Sequence, residues 1–291
     1  MVRPSVVISL ILLFELVACD ASGRRPEVAQ NLCTIPLTHV LRIPVTTLAP
    51  QTTADVSPAT LMISPGATDE PPEGPDGFDV LGDGSLLITD PLRGQLSSFD
   101  SEGKFRKAWK IGFPADSVTV IANGLVLVRE ANTGRLHAYD QDGQSRPVQG
   151  DVLPERSEAR VQPGQNRGTI TRPSIGNSAG GPLAIQFDKP GLILLSLQSL
   201  ATDERGDTYV ALETTAGGPT SEAINLNKYV RRYSFDGRLL AEIADIPLDY
   251  YVSPVDELRV HKGVVYQLQT TGSEVRVNVW DTNQLCSSGS H

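Results

Sequence analysis

Short apolar runs alternate with glycine-containing turns along most of the chain. At four places an apolar strand of a few residues is followed by a two-residue turn with Gly and then by a second apolar strand: residues 78–90, 118–128, 200–211 and 258–266. Asp-Gly and Asn-Gly form tight hairpin turns because both central residues tolerate positive φ. The pattern therefore predicts four β-hairpins and no helix longer than a turn or two.

A second pattern recurs after these hairpins. An aromatic residue, usually followed by Asp, stands four positions before a turn-forming residue, and successive aromatics are 40, 48, 46 and 47 residues apart. The five copies begin at Phe99, Tyr139, Phe187, Tyr233 and Trp280. A third apolar strand ends at the aromatic and a fourth leaves the turn, as in residues 95–99 and 104–109.

Four short antiparallel strands in every 40–48 residues are typical of a β-propeller blade. Over residues 70–284 the repeat resembles the NHL and related six-bladed propeller repeats. The predicted fold is all-β, a propeller of six four-stranded blades over residues 33–286. Five repeats are visible, so residues 34–65 are assigned to the sixth blade. The resemblance implies a ring closed by pairing of N- and C-terminal strands.

The N-terminus has the features of an export signal. An apolar run of about ten residues follows Arg3, which is too short to span a bilayer but suits a signal-peptide core. The segment Leu16-Val17-Ala18-Cys19 resembles the bacterial lipobox. That resemblance implies cleavage after residue 18 and a lipid on Cys19; ordinary secretion and an uncleaved anchor are the alternatives. Residues 19–32 then form a flexible tether, residues 287–291 a disordered tail, and the protein faces the periplasm or exterior of a bacterial cell envelope, at the inner or the outer membrane.

The other two cysteines bracket the predicted propeller. Cys33 and Cys286 lie in an exported, oxidising setting. A disulfide between them requires Cα atoms within about 7 Å, which the ring closure would provide. The alternative is two unrelated thiols.

Composition narrows the function classes. With 34 acidic and 25 basic side chains the formal charge is −9, which argues against a nucleic-acid partner. Three Cys and four His are too few for a zinc ribbon or a multi-haem protein. Glycine (26) and proline (21) are abundant, as expected for a turn-rich β protein.

One segment departs from the repeat and carries a local excess of arginine. Residues 153–182 contain Arg156, Arg160, Arg167 and Arg172 among many Gly, Pro, Ser and Asn residues. Arginine forks bind carboxylate or phosphate groups bidentately, so the segment is a candidate ligand-binding loop. A long solvated loop without a ligand is the favoured alternative. Residues 213–225 form a second predicted loop, and the acidic residues 69–76 are interpreted as a linker in preference to a Ca²⁺ site.

These features support two hypotheses about the function of the protein. The propeller repeat and the lipid anchor favour a membrane-tethered binding module, which is expected to be a monomer. No Gly-x-Ser-x-Gly, His-Glu-x-x-His or P-loop pattern is present, so catalytic residues and a cofactor are not expected. Its ligand would be a protein, peptide or glycan of the cell envelope, bound through the face loops; a scaffold in an envelope complex differs only in the partner. The second hypothesis is an enzyme resembling the six-bladed lactonases and gluconolactonases, which implies Ca²⁺ or a similar ion. Its candidate ligands are Glu130, Asn177, Asp203 and Asp256.

Overall fold

The computed structural model describes residues 32–48, 57–121, 123–148, 159–162, 164–174, 180–216 and 225–284. These residues form an all-β structure of five sheets, with one 3-10 turn at Pro91–Arg93. Within this part of the chain, no helix has the length and apolarity needed to cross a membrane. Four predicted features stay predictions, because they lie outside the described residues. They are the signal peptide (1–18), the lipid on Cys19, residues 19–31 of the tether and the tail (287–291).

The first two strands of the described residues belong to the same sheet as the last three strands. They are β1 (His39–Thr47) and β2 (Leu61–Ile63), which pair in parallel.

Sheets I and II are antiparallel meanders in which consecutive strands pair. Sheet I contains β3 (Phe78–Val80), β4 (Leu86–Asp90), β5 (Gln95–Phe99) and β6 (Phe105–Lys110). Sheet II contains β7 (Ala115–Val120), β8 (Val126–Glu130), β9 (Leu136–Tyr139) and β10 (Ser145–Arg146). Both have the four strands that the repeat predicts.

Sheets III and IV differ in strand number. Sheet III contains β11 (Ala159–Gln162), β12 (Arg167–Thr171) and β13 (Pro182–Gln186). Sheet IV contains β14 (Leu192–Thr202), β15 (Thr208–Ala216), β16 (Asn225–Tyr233) and β17 (Leu239–Ile243). The prediction that residues 153–182 form a loop is therefore wrong over β11 and β12, where apolar Ile170 is fully buried against sheet IV.

Sheet V combines the first and the last strands of the described residues. It contains β18 (Leu258–His261), β19 (Val264–Thr270) and β20 (Glu274–Asp281), followed by β1 and β2. Strand β1 pairs antiparallel with β20, so the predicted pairing of N- and C-terminal strands is present. Residues 34–65 therefore extend sheet V, and the described residues form five sheets without the sixth blade assigned to that segment.

The hydrophobic core lies between successive sheets. Four apolar clusters join sheets I and II, III and IV, IV and V, and V and I. The first strands of neighbouring sheets also meet: β3 contacts β7 and β18, and β14 contacts β11 and β18. Sheets packed face to face around their first strands are the arrangement of a β-propeller, which confirms the predicted fold class.

The recurring aromatic-Asp pattern forms a side-chain-capped turn between the third and fourth strands. Asp100 Oδ1 accepts hydrogen bonds from the backbone N–H groups of Glu102 (3.0 Å) and Lys104 (2.8 Å). Asp140 makes the same two bonds in sheet II. The copy at Phe187 is different, because it lies between sheets III and IV.

The first and last described strands, β1 and β20, pair in sheet V, which bears on the predicted Cys33–Cys286 disulfide. The backbone N–H of Asp281 donates to Thr38 Oγ1 at 3.0 Å, so segments five residues from each cysteine are in contact. Cys33 is half-buried against the core between sheets IV and V. Cys286 lies outside the described residues, and the pairing stays a prediction. Non-reducing peptide mapping is expected to recover the two cysteines in one linked fragment; alkylation of Cys286 without prior reduction would contradict it.

Candidate functional site

The first strands of sheets I, II and V begin at the same face of the molecule. Just before β18, the backbone N–H of Asp256 donates to the carbonyl of Asp76, just before β3, at 3.2 Å. At the other ends of these strands, Lys262 Nζ donates to the carbonyl of Gly82 at 2.6 Å. We refer to the face where these strands begin as the upper face and to the opposite one as the lower face.

Three aspartates lie together on the upper face, one at the start of each of these strands. Asp256 accepts a hydrogen bond from the hydroxyl of Ser117 and forms an ion pair with Arg259, whose Nη2 lies 2.8 Å from Asp256 Oδ2. Asp116 accepts from Arg129 Nε at 2.8 Å. The third, Asp76, is half-buried, and within the described residues its carboxyl receives no hydrogen bond. Two of the three carboxylates are thus neutralised by arginine and one is not.

The environment of Asp76 changes its protonation. Burial, followed by the negative charges of Asp116 and Glu73, raises the pKa of its carboxyl from 3.8 to about 7. A carboxyl with a pKa near 7 exchanges a proton at neutral pH and can either accept or donate a hydrogen bond. Strongly perturbed groups of this kind are concentrated at functional sites.

A second charged group extends the upper face towards sheet IV. Lys228 Nζ lies 2.8 Å from a carboxylate oxygen of Glu213 and 2.8 Å from one of Glu257. Ser196 Oγ donates to the other oxygen of Glu213 at 2.8 Å. Burial alone would lower the pKa of Lys228, but the two carboxylates raise it overall, so the ammonium stays charged. Because Glu257 follows Asp256 directly, this group adjoins the three aspartates.

The combined region is negatively charged. It brings together six carboxylates, those of Glu73, Asp76, Asp116, Glu213, Asp256 and Glu257, and three cations, Arg129, Lys228 and Arg259. Each of these cations already contacts a carboxylate of the group, so a further positive charge or hydrogen-bond donor is what the region lacks. We refer to these nine residues as the acidic cluster.

The predicted arginine loop is only partly assembled. Arg160 on β11 and Arg167 on β12 are exposed and, by the register of the two strands, share one face of sheet III. Arg172 instead donates to the carbonyls of Phe235 (2.5 Å) and Gly181 (3.2 Å). Arg156 lies outside the described residues. The structure thus brings two of the four arginines together.

The predicted metal ligands are not brought together. Glu130 at the end of β8 pairs with His137 Nε2 at 3.3 Å. Asp203 lies in the lower-face turn between β14 and β15, whose Arg205 donates to Asn283, while Asp256 lies on the upper face. The four residues of β18 separate these two faces by about 13 Å. Asn177 lies outside the described residues, among which no group of three or more metal-binding side chains is found.

Asp203 has a structural role that predicts the effect of its removal. Its Oδ1 accepts from the backbone N–H groups of Arg205 (2.9 Å) and Asp207 (3.0 Å) and so closes the β14–β15 turn. We expect Asp203→Ala to lower the free energy of unfolding by about 1–2 kcal/mol, because two backbone donors lose their partner. Urea denaturation measures this, with Glu204→Ala in the same turn as the control. An unchanged midpoint would contradict the role.

Sequence reasoning found Asp256 but placed it in the wrong group. Asp76 was included only in an acidic linker, and Asp116 was not singled out. The signal that could have found them is positional, since in three repeats an aspartate stands within two residues of the start of the first strand.

Comparison with known proteins gives no family. No protein-family model and no curated protein sequence matches the chain. A streptogramin B lyase structure is 12% identical, with a TM-score of 0.34 over 75% of this chain and 97% of the lyase. A gluconolactonase from Xanthomonas campestris is 13% identical, with a TM-score of 0.35 over 70% and 85%. Regucalcin, a calcium-binding protein from Agrobacterium tumefaciens, is 12% identical, with a TM-score of 0.30 over 71% and 90%. At such low identities and scores, nothing about the activity of this chain follows from the similarity.

Proposed function

We propose that this protein is a ligand-binding β-propeller and that its ligand binds at the acidic cluster of the upper face. The observation that carries the proposal is the half-buried Asp76 carboxyl, which has a raised pKa and receives no hydrogen bond from the described residues. Burying a carboxyl without a partner costs free energy that a fold alone does not require. A ligand that donates to Asp76 would recover it.

The ligand class follows from what the cluster offers. Arg129 and Arg259 are paired with Asp116 and Asp256, so an anionic ligand would have to compete with carboxylates already in place. Ammonium, guanidinium and hydroxyl groups complement the remaining acceptors. A protein, a peptide or a glycan can present such groups. The proposal retains export and a lipid on Cys19, which would place this ligand in the cell envelope.

The test compares two variants in one binding assay. A peptide-display library and a glycan array are screened at pH 8 against the wild type, Asp76→Asn and Asp142→Asn. Asp142 is an exposed aspartate in the β9–β10 turn, which makes it the matched control. Ligands are expected that bind the wild type and the Asp142 variant and bind Asp76→Asn at least tenfold more weakly. Binding that ignores the Asp76 substitution, or no binding in either screen, would overturn the proposal.

A hydrolase is the second candidate, and the same carboxyl favours it. A group with a pKa near the working pH is suited to general acid–base catalysis. A screen of lactones and esters, with metal content measured by mass spectrometry, decides between the two. Turnover that rises through pH 7 and is lost in Asp76→Asn would establish the enzyme. The binding proposal expects no turnover that depends on Asp76.

A further inference from the structure

Sheet IV carries an exposed apolar row at its upper edge. In the strand register Ile193 of β14 pairs with Thr215 of β15, and Thr215 pairs with Leu226 of β16. Directly paired residues point to the same side of a sheet, so the three side chains form one row. Ile193 is 37% and Leu226 48% exposed, so both aliphatic side chains are open to solvent at this edge of the sheet.

The row adjoins the acidic cluster. Ser196, Glu213 and Lys228 form the next row on the same side, since Glu213 lies two residues before Thr215 on β15. Two residues along a strand correspond to about 7 Å. The apolar row and the Glu213 carboxylate therefore form one continuous surface.

A second apolar side chain borders the cluster in the loop before β18. Val255 is 55% exposed and is followed directly by Asp256 and Glu257. Aliphatic side chains thus lie next to carboxylates at two separate positions. We refer to Ile193, Leu226 and Val255 as the apolar border.

The charge of this surface is negative even where a lysine is present. The side chain of Lys228 is only 10% exposed and is shared between Glu213 and Glu257, whereas that of Glu213 is 38% exposed. A partner approaching from solvent meets the carboxylate before the ammonium. Charge complementarity selects partners and orients their approach, so a positively charged group is favoured here.

The length of the sheet IV strands explains why the apolar row is exposed. Strands β14, β15 and β16 have 11, 9 and 9 residues, whereas those of sheets I and II have six or fewer. Strands β14 and β16 both begin at the upper end of the sheet. The extra residues lie at this end, and Ile193 and Leu226 are among them.

We propose that the partner is a polypeptide segment in which lysine or arginine alternates with aliphatic residues, the basic side chains contacting Glu213 and Asp76 and the aliphatic ones the apolar border. A glycan is disfavoured, because exposed isoleucine, leucine and valine offer a sugar no hydrogen bond. This inference rests on the proposed function and names the ligand class for the same site.

The test uses synthetic peptides and one surface substitution. An alternating Lys–Leu peptide is titrated against the full chain by calorimetry, with Glu–Leu and Lys–Ser peptides for comparison. Only the Lys–Leu peptide is expected to bind, and Leu226→Ser is expected to weaken it about tenfold. Phe235→Ser is the matched control, since Phe235 is equally exposed (47%) but lies in a lower-face turn.

The outcomes separate this inference from the function on which it rests. Equal binding of the Lys–Ser peptide, or no effect of Leu226→Ser, would overturn the role of the apolar border. A glycan that binds through Asp76 while no Lys–Leu peptide does would overturn the polypeptide partner and leave the proposed function intact. If neither class depends on Asp76, both fail.

Discussion

Replacing Glu242 with alanine is expected to lower the free energy of unfolding by about 3–5 kcal/mol. Glu242 on β17 is 2% exposed, and its carboxylate lies 2.7 Å from Arg231 Nε and 2.6 Å from Lys189 Nζ. Removing it leaves Arg231, itself 5% exposed, as an uncompensated buried charge. Urea denaturation followed by circular dichroism measures the loss.

The ion pair of Glu242 lies where three parts of the chain meet. Its backbone accepts from Ile35 N–H and donates to the carbonyl of Cys33, each at 2.8 Å, so it also holds the N-terminal segment against sheet IV. Arg231 lies over the ring of Phe187 at 4.7 Å and donates to the carbonyl of Gln186, which joins sheet IV to sheet III. Loss of this ion pair therefore affects sheet III, sheet IV and the segment around Cys33.

A double substitution is the control that distinguishes an unpaired charge from lost packing. Arg231→Met together with Glu242→Leu removes both charges and keeps apolar volume at the site. We expect it to recover most of the loss, because replacing a buried pair by apolar side chains is often neutral. If Glu242→Ala costs less than 1 kcal/mol, or the double variant is worse than the single one, the explanation is wrong.

The fold was predictable because its determinants are local. In two copies of the turn motif the aspartate itself stabilises the turn, since Asp100 and Asp140 each accept two backbone N–H groups within four residues. Such contacts repeat at fixed spacing and are visible in the sequence. The pairing of β1 with β20 was implied only by the resemblance, because the two strands are more than 200 residues apart and no local pattern links them.

The candidate site was less predictable for the same physical reason. Asp76, Asp116 and Asp256 become neighbours only when three first strands begin at one face, and no short motif records that. Sequence reasoning grouped Asp256 with Asp203 by residue type, and the structure places them on opposite faces. Asp203 lies in the turn of the hairpin predicted for residues 200–211, and its Asp-x-x-Gly pattern matches the capped turns at Asp100 and Asp140.

Asp76→Asn is expected to stabilise the protein at alkaline pH while removing the carboxylate that is proposed to bind the ligand. The pKa of Asp76 is raised from 3.8 to about 7, so between these values the folded protein holds a proton that the unfolded chain releases. The contribution of Asp76 to stability therefore falls as pH rises from about 4 to about 7 and is lowest above 7. A shift of this size corresponds to about 4 kcal/mol, which partial exposure to solvent reduces to about 2–3 kcal/mol.

The pH dependence makes this prediction specific. The difference in unfolding free energy between Asp76→Asn and the wild type is expected to be small near pH 4, to widen up to pH 8 and then to stay constant. Asp142→Asn, whose side chain is 89% exposed, should show no such widening. A constant difference over the whole range would mean that the Asp76 carboxyl titrates as it does in water. A variant that is more stable than the wild type and no longer binds the ligand would show that the buried carboxyl serves binding. The carboxyl lowers the free energy of unfolding, so the fold alone does not require it.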